Sequence, residues 1–124
     1  MPALSKTEEQ LMELLWKHDK LFLKDIIDNL PDPKPASTTV ATLLKRMQDK
    51  GFVGYAVFGN SRQYYPLVKK EAYFSKQMKG IIKDYFGNSA LQFASFFTTT
   101  SNLSSKELEA LKKIIDQEIK RKKK

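Results

Sequence analysis

In the stretch STTVATLLKRMQDKG, Ser37 to Gly51, the side chains of Ser37, Thr38, Thr39, Thr42, Lys45 and Arg46 carry groups that bind anions or base edges. Threonine hydroxyls bond phosphate and base edges, and their methyls can meet a thymine methyl. Arg and Lys pair with guanine or with phosphate. The spacing puts these groups on one helix. Val40, Leu43, Leu44 and Met47 fall at i, i+3, i+4 and i+7, a single apolar stripe turned toward a core. At about 100° per residue, Thr38, Thr42, Lys45 and Arg46 lie across from that stripe or flank its far side. Ser37 is placed to cap the helix, its first turn offers free N–H groups to a phosphate, and Gly51 is placed to end it in the left-handed conformation. Asp49, further along the same side, argues that the helix leaves an anionic surface before its end. Composition alone suits an ordinary solvated face equally well, because Ser/Thr with Lys/Arg is common on surfaces.

The elements around this helix decide what it can reach. Ser5 with Glu8 makes a capping box, and Leu11, Met12, Leu15 and Trp16 define a first helix over about 5–18 with one buried face. A second helix, about Leu23 to Leu30, turns Ile26, Ile27 and Leu30 inward. The prolines of PDPKPAS end it. After Gly51 the period changes: FVGYAVF and RQYYPLV read as two short strands joined at GNS, a β-hairpin. Arg62, beside Asn60 and Ser61, is then a cation at the hairpin tip, and of Tyr64 and Tyr65 at least one faces the core. Three helices and a hairpin in this order are a winged helix-turn-helix, whose third helix enters the DNA major groove while the wing reaches adjacent backbone. The fold class is therefore mainly α with a small β-hairpin.

From Lys69 the pattern is helical again. Phe74, Met78, Ile81, Ile82, Tyr85 and Phe86 form one stripe, broken at Gly87-Asn88. Leu91, Ala94 and Phe97 suggest a short helix. A Ser104 to Glu107 capping box opens a last one with Leu108, Leu111, Ile115 and Ile119 on one side. So short a segment cannot bury that much apolar surface alone. The pattern predicts a DNA-binding domain over 1–68 and a helical dimerisation domain over 69–124. Phe74, Met78, Ile81, Ile82, Tyr85, Phe86, Leu91, Phe97, Leu108, Leu111 and Ile115 are expected at the homodimer interface.

The net charge of +8 suggests a polyanionic partner, but it is unevenly placed. Residues 1–67 hold 9 Lys/Arg against 8 Asp/Glu, whereas residues 68–124 hold 13 against 6, five of them in the basic tail Lys120–Lys124. With no cysteine, one histidine (His18), no Gly-rich phosphate loop and no carboxylates at ligand spacing, no catalytic residue, metal site or cofactor is expected. No segment approaches the roughly 20 apolar residues of a membrane span, and no leader pattern opens the chain, so no membrane insertion and a cytoplasmic location are expected.

The residues that carry these expectations also resemble a known family. LMELLW in the first helix, TTVATLLKRMQDKG in the third, QYYP closing the wing and LSSKELEALKKII in the last helix are similar to the penicillinase-repressor (BlaI/MecI/CopY) family of bacterial transcription factors. The resemblance implies a dimeric repressor that binds a palindromic double-stranded DNA operator. It assigns Thr38, Thr39, Thr42, Lys45 and Arg46 to the DNA surface. In the antibiotic-responsive members a membrane-bound sensor metalloprotease triggers cleavage, but the Asn-Phe dipeptide cut there has no counterpart in SALQFASFF. The thiolate metal motif of the copper-responsive members is absent with the cysteines. The rival reading, a winged-helix protein-interaction module without sequence-specific DNA binding, draws on the near-neutral charge of residues 1–67.

Overall fold

A computed structural model describes residues 3–123, which form two compact units divided after Ser75. The first unit begins with α1 (Lys6–His18). Ser5 caps it: Ser5 Oγ accepts from the Glu8 N–H, and the Glu8 carboxylate accepts from the Ser5 N–H. Leu11, Met12 and Leu15 are fully buried, as their spacing predicts. Trp16 is half-buried at the edge of the core and donates its indole N–H to the Val68 carbonyl at 2.8 Å.

There follow β1 (Leu21–Phe22), α2 (Leu23–Asp28), α3 (Ser37–Asp49), β2 (Val53–Phe58) and β3 (Ser61–Pro66). The sheet has three antiparallel strands in the order β1-β3-β2, one more than the expected hairpin. Leu21 pairs with Tyr64 and Phe22 with Gln63. Two residues are too few to show a period of 2, so the sequence carries no signal for β1. The chain enters β1 through Asp19 at φ +73, where Lys20 N–H donates to the His18 carbonyl at 2.9 Å, a γ-turn. Lys34 closes α2 from beyond its end, donating to the Asp28 and Leu30 carbonyls at 3.0 and 2.9 Å.

The stripes of α1 and α3 meet Ile26, Leu30, Phe52, Val53 and Tyr64 in one core. Gly51, at φ +85, ends α3 in the conformation that only glycine adopts freely. The first turn of α4 (Lys70–Tyr85) completes the core with Tyr73, whose ring lies edge-on to Phe52 at 5.7 Å. Tyr73 donates its hydroxyl hydrogen to Glu9 Oε2 at 2.7 Å. Burial, and next that hydrogen bond to a carboxylate, push its phenol up to about 12.

The second unit holds the rest of α4, α5 (Ala90–Thr100) and α6 (Ser105–Lys122). Ser89 caps α5, and Ser104 with Glu107 makes the expected capping box on α6. Phe86 gathers Phe93 and Phe96 around it at 5.5 and 5.3 Å. Nothing in α5, in α6 or in α4 beyond Ser75 is buried. This unit has amphipathic helices and no core of its own.

Candidate nucleic-acid interface

The inward face of α3 fixes its outward face. Val40, Leu44 and Met47 are sealed in the core, so the helix cannot roll, and Ser37, Thr38, Thr39, Thr42, Lys45 and Arg46 are all exposed together. One detail differs from the sequence expectation. The N-cap is Ala36, without a side-chain hydrogen bond, and Ser37 is the first helical residue. Both residues suit the extended geometry after Pro35, and sequence alone does not separate them. The intrahelical ladder starts with Thr39 and Val40 donating to the Ala36 carbonyl. The N–H groups of Ser37 and Thr38 precede it and point out from the positive end of the helix dipole, beside three exposed hydroxyls.

The outward groups are not equivalent. Thr42 donates its hydroxyl hydrogen to the Thr38 carbonyl at 2.9 Å, which leaves its oxygen lone pairs as an outward acceptor. Lys45 Nζ lies 3.1 Å from Asp49 Oδ1, so its charge is partly countered. Arg46 has no carboxylate within ion-pair distance among the described residues. It is the unencumbered cation of this face.

The far end of α3 is tied down from below. Lys50, its C-cap, sends its ammonium to both Glu8 oxygens at 2.9 and 3.2 Å and to the Ala3 carbonyl at 3.3 Å. Glu8 is 2% exposed. Burial pushes its carboxyl up. The Ser5 N–H and hydroxyl and the Lys50 ammonium outweigh that and hold it below the ordinary value. One carboxylate therefore caps α1 and anchors α3. Glu8 is legible as a capping residue, but its partner lies 42 residues away and no local pattern announces it.

On the wing, Arg62 stands across from Val57 with its guanidinium 4.4 Å from the centroid of the Tyr55 ring. The ring orients the cation without neutralising it. Tyr64 is the core-facing tyrosine. Tyr65 lies on the other face over Gly54, where a Cβ would come within 2.8 Å of its ring. Between wing and helices runs a crevice of about 440 Å³, lined by Phe22, Lys24, Ala41, Asn60, Arg62 and Tyr64. Lys24 was not singled out by the sequence, where it reads as one more polar residue of α2. The pairing of β1 with β3 sets the start of α2 against the wing, and Lys24 and Arg62 line the same crevice.

The expected dimer residues do not all lie in one unit. Phe74 belongs to the first, its ring 5.8 Å from Trp16 and 5.1 Å from Tyr73. Met78, Ile81, Ile82, Tyr85, Phe86, Leu91, Phe97, Leu108, Leu111 and Ile115 lie in the second and are exposed or half-buried. Ile114, off the α6 stripe and 62% exposed, joins them as a residue that periodicity passed over.

A family model described as "Penicillinase repressor" matches residues 4–117. The penicillinase repressor of Bacillus licheniformis is 23% identical over 124 residues, covering 99% of this chain and 97% of that protein. The methicillin resistance regulatory protein MecI of Staphylococcus aureus (strain N315) is 26% identical over 115 residues, covering 92% and 94%. The solution structure of the DNA-binding domain of the repressor BlaI superposes with a TM-score of 0.52 and 26% identity. It covers 58% of this chain and 89% of its own.

Proposed function

The chain belongs to the penicillinase repressor family, and from that premise we propose that it is a homodimeric repressor that reads a palindromic operator through α3 and the wing. The observation that carries this is the outward face of α3. Two free first-turn N–H groups, the Thr38, Thr39 and Thr42 side chains and the unpaired Arg46 stand together on a helix locked by its buried stripe. A helix so equipped suits the major groove, with Ser37, Thr38 and Thr39 at phosphate and Thr42 and Arg46 at base edges. Lys45 is the weaker contact because Asp49 shares it, and Arg62 is aimed at backbone beside the groove.

Dimerisation rests on the second unit. Its helices expose Leu91 at 84% and Ile115 at 52%, which only a partner can cover, and a second copy is the partner that a two-fold operator demands. On family membership alone the proposal extends to relief of repression by a membrane-bound sensor metalloprotease.

The test is fluorescence anisotropy on the gene's own promoter fragment against scrambled duplex, across salt. The wild type should prefer the promoter. Arg46→Ala should lose about 1–3 kcal/mol on the best operator and less on mismatched ones, because a base contact is removed. Arg62→Ala should weaken all duplexes alike and lower the salt slope by about one per protomer. Equal binding of promoter and scramble by the wild type would favour the interaction-module reading instead.

A further inference from the structure

The first unit, taken as a reader of DNA, carries little net charge, with 11 Lys/Arg against 9 Asp/Glu over residues 1–75. Four of its lysines are engaged: Lys50 with buried Glu8, Lys45 with Asp49, Lys70 with Glu13 and Lys34 with two carbonyls. A duplex carries one negative charge per about 1.7 Å of axis, and much of the affinity of any binder comes from neutralising phosphates. Arg46 and Arg62 supply part of that neutralisation, and aligned cations elsewhere in the chain would add to it.

The basic tail is the obvious source and the poorer one. Lys120, Arg121, Lys122 and Lys123 are consecutive residues at the end of α6, so at about 100° per residue they point to all sides of the helix. Arg121 is already paired with Glu118. Cations in a last turn also have a sufficient role against the helix dipole.

Along the second half of α4 the arrangement differs. Lys76, Lys79 and Lys83, at i, i+3 and i+7, fall within an arc of about 60° over about 10 Å of helix. All three are exposed, and among the described residues none has a carboxylate within ion-pair distance. The nearest acid around the helix, Asp84, sits about 80° or more away. Met78, Ile81 and Tyr85 occupy the opposite side, and Ile82 marks the near edge of the apolar stripe about 60° from Lys79, so a second copy seated on that stripe leaves the lysines at its border. Lys83 lies in the last turn, where the helix dipole gives it a role, but neither the dipole nor any ion pair among the described residues accounts for the alignment of Lys76 and Lys79 with it.

We propose that the Lys76–Lys79–Lys83 face of α4 is a second, sequence-independent contact to duplex phosphates, used on the same DNA that α3 reads. The proposal rests on that reading of α3. It divides the labour: α3 and the wing select the sequence, and the lysine face supplies affinity and most of the salt dependence.

The experiment compares wild type with K76Q/K79Q/K83Q on promoter and scrambled duplexes of equal length across a salt series, with sedimentation equilibrium on both proteins. Six lysines per dimer, at about 0.9 ion per phosphate, allow the slope of log K against log salt to fall by up to about 5. The expected result is a fall of at least about 2, equal affinity losses on both duplexes and an unchanged promoter-to-scramble ratio, with the variant still dimeric. An unchanged slope overturns the proposal, as does a variant that has become monomeric. So does a variant that keeps the duplex slope but loses binding to phosphatidylserine vesicles, which would assign the face to a membrane surface. K120Q/R121Q/K122Q is the control, and a larger slope change there than in the α4 variant also overturns the proposal. Absence of promoter preference in the wild type is a separate failure, that of the α3 reading, because the lysine effect remains measurable on scrambled DNA.

Discussion

The chain writes the same sentence twice and gets two outcomes. At Ser5 and Ser104 a serine caps a helix, a glutamate three residues on returns the bond, and an apolar stripe follows. In α1 that stripe disappears into a core and Glu8 is sealed beneath Lys50. In α6 Leu108, Ile115 and Ile119 remain between 38% and 52% exposed, and Glu107 lies in water. Local chemistry specifies a helix and its inward side. Whether that side is filled by the same chain or by another depends on what the rest of the sequence brings to it. The first unit brings α2, α3, the sheet and Tyr73, whereas the second brings only two more helices with the same need.

The largest test of this contrast is a matched pair of truncations. Leu44→Ala should destabilise the first unit by about 2–5 kcal/mol, because a fully buried leucine leaves a cavity. Ile115→Ala should leave the urea midpoint reported by Trp16 fluorescence almost unchanged and weaken the proposed dimer about tenfold or more. Trp16 is the sole tryptophan and lies in the first unit, so it reports that unit alone. A midpoint shift with Ile115→Ala as large as that with Leu44→Ala would mean that α6 is part of the first unit's core, and the contrast would collapse.

How much of this was legible follows from range. The α3 stripe, the capping boxes, the Gly51 stop and the hairpin are written within spans of a few residues, and the structure places them where the spacing does. β1 escaped because two residues carry no period. The Lys50–Glu8 bond escaped because it joins residues far apart in sequence. Lys24 escaped because its relevance depends on strand order. The outward residues of α3 were legible, but their ranking was not. That Thr42 turns its hydrogen inward and that Asp49 engages Lys45 are consequences of geometry, although the four-residue spacing of the latter pair is a hint.

A smaller effect separates the two glutamates. Glu8→Gln should cost about 1–3 kcal/mol, since it strips a partly buried ammonium of its charge partner while Lys50 keeps some access to water. Glu107→Gln, in the open, should cost a few tenths at most. Acid adds a signature. Glu8 has a folded pKa held below its ordinary 4.5, so its contribution is complete above that value and is lost as pH falls through the lowered one. Urea midpoints between neutral pH and pH 3 should therefore fall more steeply in wild type than in Glu8→Gln. Parallel curves would show that the buried pair contributes nothing to acid sensitivity.

The smallest effect concerns backbone. Outside glycine, the left-handed φ values among the described residues are those of Asp19 at +73 in the first unit and of Asn88 at +59 and Asn102 at +52 in the second. Asparagine tolerates that region, and its two positions are ordinary helix exits. Asp19, with ψ at −50, sits in a strained γ-turn that β1 and α1 impose from either side. Strain of this kind persists where packing over-determines the chain, which is true of the first unit and not of the second. Asp19→Gly should relieve more in the folded state than it adds in unfolded-chain entropy, and raise the stability of the first unit by up to about 1 kcal/mol. Asn102→Gly should change stability by less than about half that. If both substitutions are neutral by urea midpoint, Asp19 holds no strain, and the first unit differs from the second in how much it buries but not in how tightly it constrains its turns.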